Sequence, residues 1–303
     1  MKDNIYYNQT KLLLRVLPLI FKQKDFALKG GTAINFFYRN MPRLSVDIDL
    51  VYLPIKNWNE TLTDINELLS SLKSKIEQRI PGSSVVASTK DSNIRKLIVK
   101  YDTATVKIEP NIIIRGSLFS PEEKSLTSHA KKHFEISVKS KLLSFADLYG
   151  GKICAALDRQ HPRDLFDLKL LMENEGITEN IKYAFIFYLI SHNRPIIEIL
   201  NPNYKSIKES FNKEFQGMTF EKVGYEELLK VRDKLVKDIN QILSTKDKKF
   251  LISINTGKPN WNLFPYPKIR KYPSVKWKLM NIRKMNSKKH EKVYQKLSEY
   301  FNK

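Results

Sequence analysis

Two aspartates, Asp47 and Asp49, lie two positions apart in a segment whose other residues are apolar. Residues 46–52 read VDIDLVY, and this alternation of acidic and apolar residues is typical of a β-strand with one functional face. Side chains two positions apart on a strand project from the same face, so both carboxylates can converge on one or two hard cations. Mg²⁺ prefers a few carboxylates together with substrate phosphates. The pair therefore predicts a strand that carries a magnesium site.

A third carboxylate is expected on a neighbouring strand, because two such ions can hold the attacking and leaving oxygens of an in-line phosphoryl displacement. Residues 104–108 are predicted to form a strand, with Val106 and Ile108 facing the core. Lys107 and Glu109 would then share the opposite face. Glu109 is the predicted third acid.

The pair Gly30-Gly31 follows a short apolar strand at residues 26–28 and precedes a predicted helix. Without side chains, its backbone can approach a polyphosphate closely, and the N–H groups at the start of a helix favour an anion. A plain turn is the commoner explanation of a lone Gly-Gly pair. Arg39 and Arg43 either pair with the two aspartates or reach the triphosphate, and the sequence leaves both roles open.

The remaining patterns predict an α/β (α+β) domain with a mixed sheet over residues 1–139. Apolar stripes indicate helices at 12–20 and 62–76, and three strands are expected near 84–87, 96–101 and 104–108, the last two joined at Asp102-Thr103. From residue 140 the patterns become helical. Ser144 and Asp147 form a capping box, and Pro162 occupies a first helical position. A helical domain is therefore predicted over residues 140–303.

The charge of the chain is unusual for its length of 303 residues. It carries 53 lysines and arginines against 32 acids, a net charge of +21, which points to partners that bear phosphates or to an anionic membrane surface. Residues 246–303 hold 16 of the basic residues and three acids, a net charge of +13. Hydrophobic residues at 42% exclude a disordered chain. The single Cys154 excludes an intramolecular disulfide, and with no apolar stretch of about 20 residues, a cytoplasmic protein is expected.

The basic segment at 246–303 is open to three interpretations. Its aromatic residues could stack on unpaired bases while its lysines hold phosphates, they could pack in the core, or the segment could lie on a membrane. Membrane binding is disfavoured, because the apolar residues from Val275 to Phe301 trace a face that should dock on the protein and leave the lysines outside. The interleaved residues are Lys258, Trp261, Phe264, Tyr266, Lys268, Arg270, Lys271, Tyr272, Lys276, Trp277 and Lys278.

Three runs of sequence together resemble the AbiEii/AbiGii toxin family of the nucleotidyltransferase superfamily. They are LKGGTAINFFYRNMPRLSVDIDLVY, VKIEP and GGKICAALDRQHPRDLFDL, and the resemblance is specific over residues 26–172. It implies a minimal polymerase-β-like nucleotidyltransferase domain joined to a helical domain. It also implies the toxin of a toxin–antitoxin or phage-defence pair, with an antitoxin encoded nearby. Related toxins transfer nucleotides from an NTP to RNA, with tRNA as the acceptor in the better understood branches.

The resemblance also assigns roles to individual residues. Gly30 and Gly31 match the phosphate-loop glycines, Asp47 and Asp49 match the metal-binding pair, and Glu109 sits at the third acid, as base or as ligand. Lys152 matches a lysine that contacts nucleotide phosphates, and Asp164 or Asp167 matches the aspartate of the last motif. Fifteen residues separate Gly31 from Asp47, more than in the broad superfamily pattern but similar to this family. The resulting nucleotide site comprises Gly30, Gly31, Thr32, Arg43, Ser45 and Lys152.

The hypothesis favoured by the sequence is an enzyme that uses Mg²⁺ or Mn²⁺ to transfer NMP from an NTP to RNA, most simply the 3′ end of tRNA. One alternative is a non-catalytic module that binds nucleic acid or antitoxin through a nucleotidyltransferase fold. Another keeps the enzyme but changes the acceptor to a protein or a small molecule. The charge argues against a small acceptor, which does not require +13 at one end of the chain.

Overall fold

A mixed seven-stranded sheet occupies the N-terminal half of the chain, of which a computed structural model describes residues 5–302. The strands are β1 Phe26–Lys29, β2 Asp47–Tyr52, β3 Ser84–Lys90, β4 Asn93–Tyr101, β5 Ala104–Asn111, β6 Glu122–Ser125 and β7 Lys139–Leu142. The strand order is β3-β4-β5-β2-β1-β7-β6. Strand β2 runs parallel to β5 and β1 parallel to β7, whereas the other neighbouring strands are antiparallel.

Two long helices, α1 (Ile5–Ile20) and α3 (Trp58–Arg79), pack against one face of this sheet. Helix α1 covers β5, and α3 covers β3 and β4. Asn57 caps α3 by accepting a hydrogen bond from the Glu60 N–H at 2.9 Å. The apolar stripes predicted at 12–20 and 62–76 lie on these helices and bury most of their members. The predicted helices are confirmed.

The glycines begin a short helix, α2 (Gly30–Ala33), which continues as a π-helical turn at Ile34–Tyr38. The β4–β5 hairpin turns at Asp102, whose φ of 50° lies in the left-handed region that aspartate tolerates. This turn agrees with the predicted one at Asp102-Thr103. Strands β6 and β7 and the helix between them, α4 (Ser128–Phe134), were not predicted.

The C-terminal half is helical. Ser144 caps the start of α5 (Phe145–Arg159) by accepting from the Asp147 N–H at 3.1 Å. The Asp147 carboxylate accepts from the Ser144 hydroxyl at 2.8 Å and from the Leu118 and Phe119 N–H groups, so of the predicted capping box the N-cap bond is seen. Pro162 begins α6 (Pro162–Asn174), as predicted. The helices are α5 Phe145–Arg159, α6 Pro162–Asn174, α7 Glu179–Ser191, α8 Ile196–Leu200, α9 Lys208–Ser210, α10 Tyr225–Ile242, α11 Thr245–Asn255, α12 Pro273–Arg283 and α13 Ser287–Asn302, with a π-helical turn at Phe211–Phe215 and 3₁₀ turns at Trp261–Leu263 and Pro267–Lys271.

The chain divides into two compact units. The first unit ends at Leu148, inside α5, and also includes the later segment Gln216–Lys222. The second consists of Tyr149–Phe215 and the residues from Val223 onward. Among residues 5–302, no helix is both long enough and apolar enough to cross a membrane.

Aromatic residues of the basic segment pack inside the second unit. The Phe264 ring stacks on Phe250 with centroids 4.9 Å apart, and Tyr272 meets Phe187 edge-on at 5.4 Å. These contacts favour core packing for both rings. The expectation that the lysines lie outside is wrong for Lys278, which is 5% exposed because its ammonium donates to the carbonyl oxygens of His192 and Arg194. Burial lowers the pKa of Lys278 to about 8.

Candidate active site

The two aspartates lie at the start of β2, on the same face of the strand. The intervening Ile48 and the following Leu50 are fully buried on the opposite face, where they anchor β2 in the core. Asp47 and Asp49 themselves are partly exposed. The acidic residues therefore alternate with buried apolar residues along the strand, and both carboxylates point away from the core.

The neighbouring parallel strand β5 brings the third acid beside the pair. The register places Glu109 next to Asp49 and Lys107 next to Asp47. Residues paired across strands share one face of the sheet, so the three carboxylates and the Lys107 ammonium project from the same face. The Asp49 and Glu109 carboxylates make no hydrogen bond or ion pair to any part of the described chain.

A second lysine, which the sequence analysis did not single out, flanks the acids on the other side. Antiparallel pairing of β1 with β2 places Lys29 opposite Asp49. A row of charged residues, Lys29, Asp49 and Glu109, therefore crosses three adjacent strands. The only sequence signal for Lys29 is its position directly before the two glycines, since nothing local specifies the register that aligns it with Asp49.

Gly30 lies against the acid pair in a conformation that requires glycine. Its φ is +75°, and a Cβ added there would sit 2.5 Å from Asp49 Oδ2. Because glycine has no side chain, the Asp49 carboxylate can lie close to the backbone of the loop. The glycine loop and the aspartate pair, which are separate in sequence, thus form one site.

Gly31 lies against a buried arginine. A Cβ on Gly31 would sit 2.5 Å from Arg43 Nη2 and 3.3 Å from Ser45 Oγ. Arg43 is 2% exposed, and its Nη1 donates to the Leu44 carbonyl oxygen at 2.9 Å. The guanidinium therefore lies directly beneath the loop. Arg39 is placed differently, with its guanidinium carbon 5.7 Å from the centre of the Phe145 ring.

The hydroxyl groups of Thr32 and Ser45 tie the glycine loop to the start of β2. The two oxygens lie 2.9 Å apart, and Thr32 Oγ1 also donates to the Asp47 carbonyl oxygen at 2.6 Å. Both side chains are buried. Because this network crosses from loop to strand, it fixes the backbone beside Asp47.

The returning segment Gln216–Lys222 braces the chain that leads into β2. The Leu44 N–H donates to the Met218 carbonyl oxygen at 2.8 Å, and the Phe220 N–H donates to the Pro42 carbonyl oxygen at 3.1 Å. Arg43 forms the β-bridge to Thr219 between these bonds. A segment from far along the chain therefore holds Arg43 in place, which no local sequence pattern indicates.

In the second unit, Lys152, Asp164 and Asp167 form one buried cluster. The Lys152 ammonium lies 2.8 Å from Asp164 Oδ1 and 3.0 Å from Asp167 Oδ2, and all three residues are at most 7% exposed. Arg159 also binds Asp164, with Nη2 at 2.9 Å from Oδ1. Burial alone would raise the pKa of Asp164, but the two cations outweigh it and hold this pKa well below its usual range.

The glycines before Lys152 pack against another helix. A Cβ on Gly150 would lie 2.6 Å from backbone atoms of Ala184 and Phe185 in α7. A Cβ on Gly151 would meet only the Tyr188 ring, at 3.7 Å. The close approach of α5 and α7 therefore explains why position 150 is a glycine.

The acids of the first unit fit a magnesium ion that shares its coordination with substrate. Their donors are carboxylate oxygens, which Mg²⁺ prefers, and within the described residues Asp49 and Glu109 form no ion pair that would compete with the metal. No group of three His, Cys, Asp or Glu side chains in residues 5–302 is arranged to enclose a metal by itself. A magnesium ion here would take one or two of these carboxylates, and waters and substrate phosphates would complete its coordination.

Comparison with known proteins identifies the family. The sequence profile described as "Nucleotidyl transferase AbiEii toxin, Type IV TA system" matches residues 11–281. The chain belongs to the AbiEii nucleotidyltransferase toxin family. Membership makes it a nucleotidyltransferase toxin of a type IV toxin–antitoxin system, which implies an NTP substrate and an antitoxin partner.

A solved structure supports the fold assigned to this AbiEii family member. MenT4, a nucleotidyltransferase toxin from Mycobacterium tuberculosis H37Rv, aligns with a TM-score of 0.64 at 13% identity, over 92% of this chain and 93% of that one. The similarity confirms the predicted mixed-sheet nucleotidyltransferase fold with C-terminal helices. No curated protein sequence matches the chain.

Proposed function

We propose that this AbiEii family member transfers NMP from an NTP to RNA, with the 3′ end of tRNA as acceptor, in a reaction that requires Mg²⁺ or Mn²⁺. The observation that carries the proposal is the position of Asp49, which lies beside Glu109 and against the Gly30 backbone. The carboxylates supply a ligand set for a divalent cation, and the glycine loop beside them is where the family resemblance places the triphosphate.

Asp47 and Asp49 would hold the metal, and Glu109, beside Asp49, would complete the site. Mg²⁺ bound there would neutralise phosphate charge and orient the attacking and leaving oxygens. Gly30 and Gly31 would admit the triphosphate, with Thr32 and Ser45 fixing the loop and Arg43 placing a positive charge beneath it. Lys152 would offer its remaining N–H to a phosphate, and Asp164 and Asp167 would position it.

In the transfer step, a hydroxyl oxygen of the acceptor forms a bond to the α-phosphorus. The bond from that phosphorus to the bridging oxygen breaks, and pyrophosphate leaves. Glu109 either accepts the hydroxyl proton or only binds metal, in which case the proton passes to solvent water. No covalent enzyme intermediate is needed for phosphoryl transfer.

An RNA acceptor is supported by the distribution of charge. The net charge of +21 suits a polyanion, and 13 of the 15 described basic residues at 246–302 are exposed. A small acceptor would not need these exposed basic residues for binding. As a cytoplasmic toxin, the enzyme would block translation by modifying tRNA, which suits a role in phage defence.

The test is nucleotide transfer by wild type and Asp49→Asn. Each protein is incubated with labelled NTPs, Mg²⁺ and a mixed tRNA preparation, and label in RNA is measured. We expect Asp49→Asn to abolish labelling, because it removes a negative ligand without changing side-chain size.

The matched control is Asp102→Asn. Asp102 is an exposed carboxylate at a hairpin turn, and asparagine tolerates its φ of 50°. This control should label RNA as wild type does. Equal labelling by Asp49→Asn and wild type would overturn the assigned site, and NTP binding without transfer to any RNA would favour a non-catalytic module.

A further inference from the structure

The sheet has an uncovered face beside the acid pair. Helices α1 and α3 cover one face of β3, β4 and β5. On the opposite face, Lys100 and Lys107 are exposed, Lys96 is partly exposed, and Val86 is 50% exposed. We call this surface of β3, β4 and β5 the open face.

The open face is continuous with the carboxylates. Cross-strand pairing aligns Asp47 with Lys107, Lys107 with Ile98, and Ile98 with Val86. These four residues form a row across β2, β5, β4 and β3. With strands roughly 4.8 Å apart, the row extends about 14 Å from the acid pair. A ligand that reacts at the carboxylates can therefore lie along this face.

The charge of the open face is opposite to that of the acid pair. Lys96 and Lys100 lie on β4, and Lys107 lies on β5 next to Asp47. The positions that share this face on β3, β4 and the start of β5, all within the described residues, are serine, threonine, valine, isoleucine or lysine, and none is acidic or aromatic. The face is thus purely cationic up to the point where the carboxylates begin.

These properties select one kind of partner. Cores of protein interfaces are enriched in aromatic residues and depleted in lysine, so a lysine-bearing face without aromatics does not resemble one. Base stacking on single strands also requires aromatic side chains. Lysines and hydroxyl groups without aromatics suit contacts to phosphates, which position a nucleic acid without reading its sequence.

We propose that the open face binds the phosphodiester backbone of the RNA acceptor next to its reacting end. The inference rests on the proposed function for the reaction, but the binding it describes is separable from transfer. Lys107 lies beside Asp47, and Lys96, one position beyond the Leu97–Ile108 pair, lies beside Glu109. These two lysines would contact the phosphates nearest the carboxylates, and Lys100 would contact a phosphate farther along the RNA.

The test compares Lys96→Gln/Lys100→Gln with Lys73→Gln/Lys75→Gln. The control pair lies on α3, which covers the opposite face of the sheet, and it removes the same charge. Binding of a labelled mixed tRNA preparation is measured without NTP as a function of salt. NTP binding and thermal unfolding of both variants are measured to establish that each is folded.

We expect the open-face variant to weaken tRNA binding about tenfold and to make the salt slope shallower by roughly one to two units, since each phosphate contact contributes about 0.7–0.9. NTP binding should be unchanged, and the α3 control should bind tRNA as wild type does. Equal tRNA binding by the two variants, weak or strong, would overturn the proposal. So would loss of antitoxin binding by the open-face variant with tRNA binding intact.

Failure of the proposed function would be separately visible. If wild type labels no RNA but the open-face variant still loses tRNA binding, the reaction is wrong and the open face stands. If wild type labels tRNA and the open-face variant labels it with the same KM for tRNA, the reaction stands and the open face is wrong.

Discussion

The Lys152 ammonium is held by two buried carboxylates, Asp164 and Asp167. A buried charge pair is costly to break, because removing one partner leaves the other in a poorly solvating environment. The cluster joins α5 to α6 and therefore stabilises the packing of these two helices. The lowered pKa of Asp164 means that its stabilisation is present above the ordinary aspartate pKa of about 3.9 and is lost as the pH falls.

Substitution of Lys152 by methionine tests how much this cluster contributes to the free energy of unfolding. We expect Lys152→Met to lower the free energy of unfolding by about 3–5 kcal/mol, because it removes the cation between two buried carboxylates. Denaturant unfolding measures the change. Lys237→Met, at an exposed position of α10, should stay within about 0.5 kcal/mol of wild type. Wild-type stability combined with weaker NTP binding would instead indicate that Lys152 acts mainly on phosphates.

At the residue scale, the sequence predicted the geometry of the acid pair but not its neighbours. Alternation alone turns Asp47 and Asp49 to one face, since the strand repeat is local. Lys29 and Arg43 reach the glycine loop and acid pair through the β1–β2 register and through the segment 216–222. Both depend on pairing between distant parts of the chain, which leaves no local signal.

At the scale of elements, the adjacent helical glycines Gly150 and Gly151 differ in what surrounds them. Glycine within a helix costs about 1 kcal/mol relative to alanine, so each position needs a reason. Gly150 has one, because α7 backbone atoms occupy the space where a Cβ would lie. Gly151 meets only an aromatic ring at an ordinary contact distance.

Alanine at each glycine should therefore have opposite effects. We expect Gly150→Ala to lower the free energy of unfolding by about 1–3 kcal/mol through forced separation of α5 and α7. Gly151→Ala should raise it by up to about 1 kcal/mol through helix propensity. Thermal and denaturant unfolding measure both, and each variant is the control for the other. Equal destabilisation would contradict the packing seen at α7.

Elements with strong local signals were predicted, whereas the two short strands β6 and β7 were missed. Helices α3 and α5 begin at a capping residue and α6 begins at a proline, and α3 carries a buried apolar stripe. Strand β6 reads EEKS and is mostly exposed. Its conformation comes from pairing with β7, and that pairing is a tertiary interaction with no periodic pattern of its own.

At the scale of the whole molecule, the basic segment has both buried and exposed side chains over its described residues, 246–302. Phe264 and Tyr272 pack against other rings, Lys278 is buried, and the lysines of α13 are exposed. The alternatives of core packing and phosphate contact therefore apply to different side chains of one segment.

Neutralising lysines of α13 tests the second alternative. We expect Lys288→Gln/Lys292→Gln/Lys296→Gln to weaken tRNA binding and to make its salt slope shallower by roughly two, while NTP affinity is unchanged. The matched control, Lys208→Gln/Lys230→Gln/Lys237→Gln, removes the same charge from exposed positions on α9 and α10. Filter binding over a range of salt concentrations measures both. An equal loss in the two variants would show only a general effect of net charge.

Local patterns of the chain specify the strand that carries Asp47 and Asp49, the long helices, the helical second half and the concentration of charge at one end. Periodicity, capping and composition are local properties, so they can be read from the residues alone. Folding brings Glu109 and Lys29 to either side of Asp49, sets Gly30 against the Asp49 carboxylate, and binds Lys152 between two aspartates. These contacts could not be read from local patterns, because strand register and helix packing depend on interactions between segments distant in sequence.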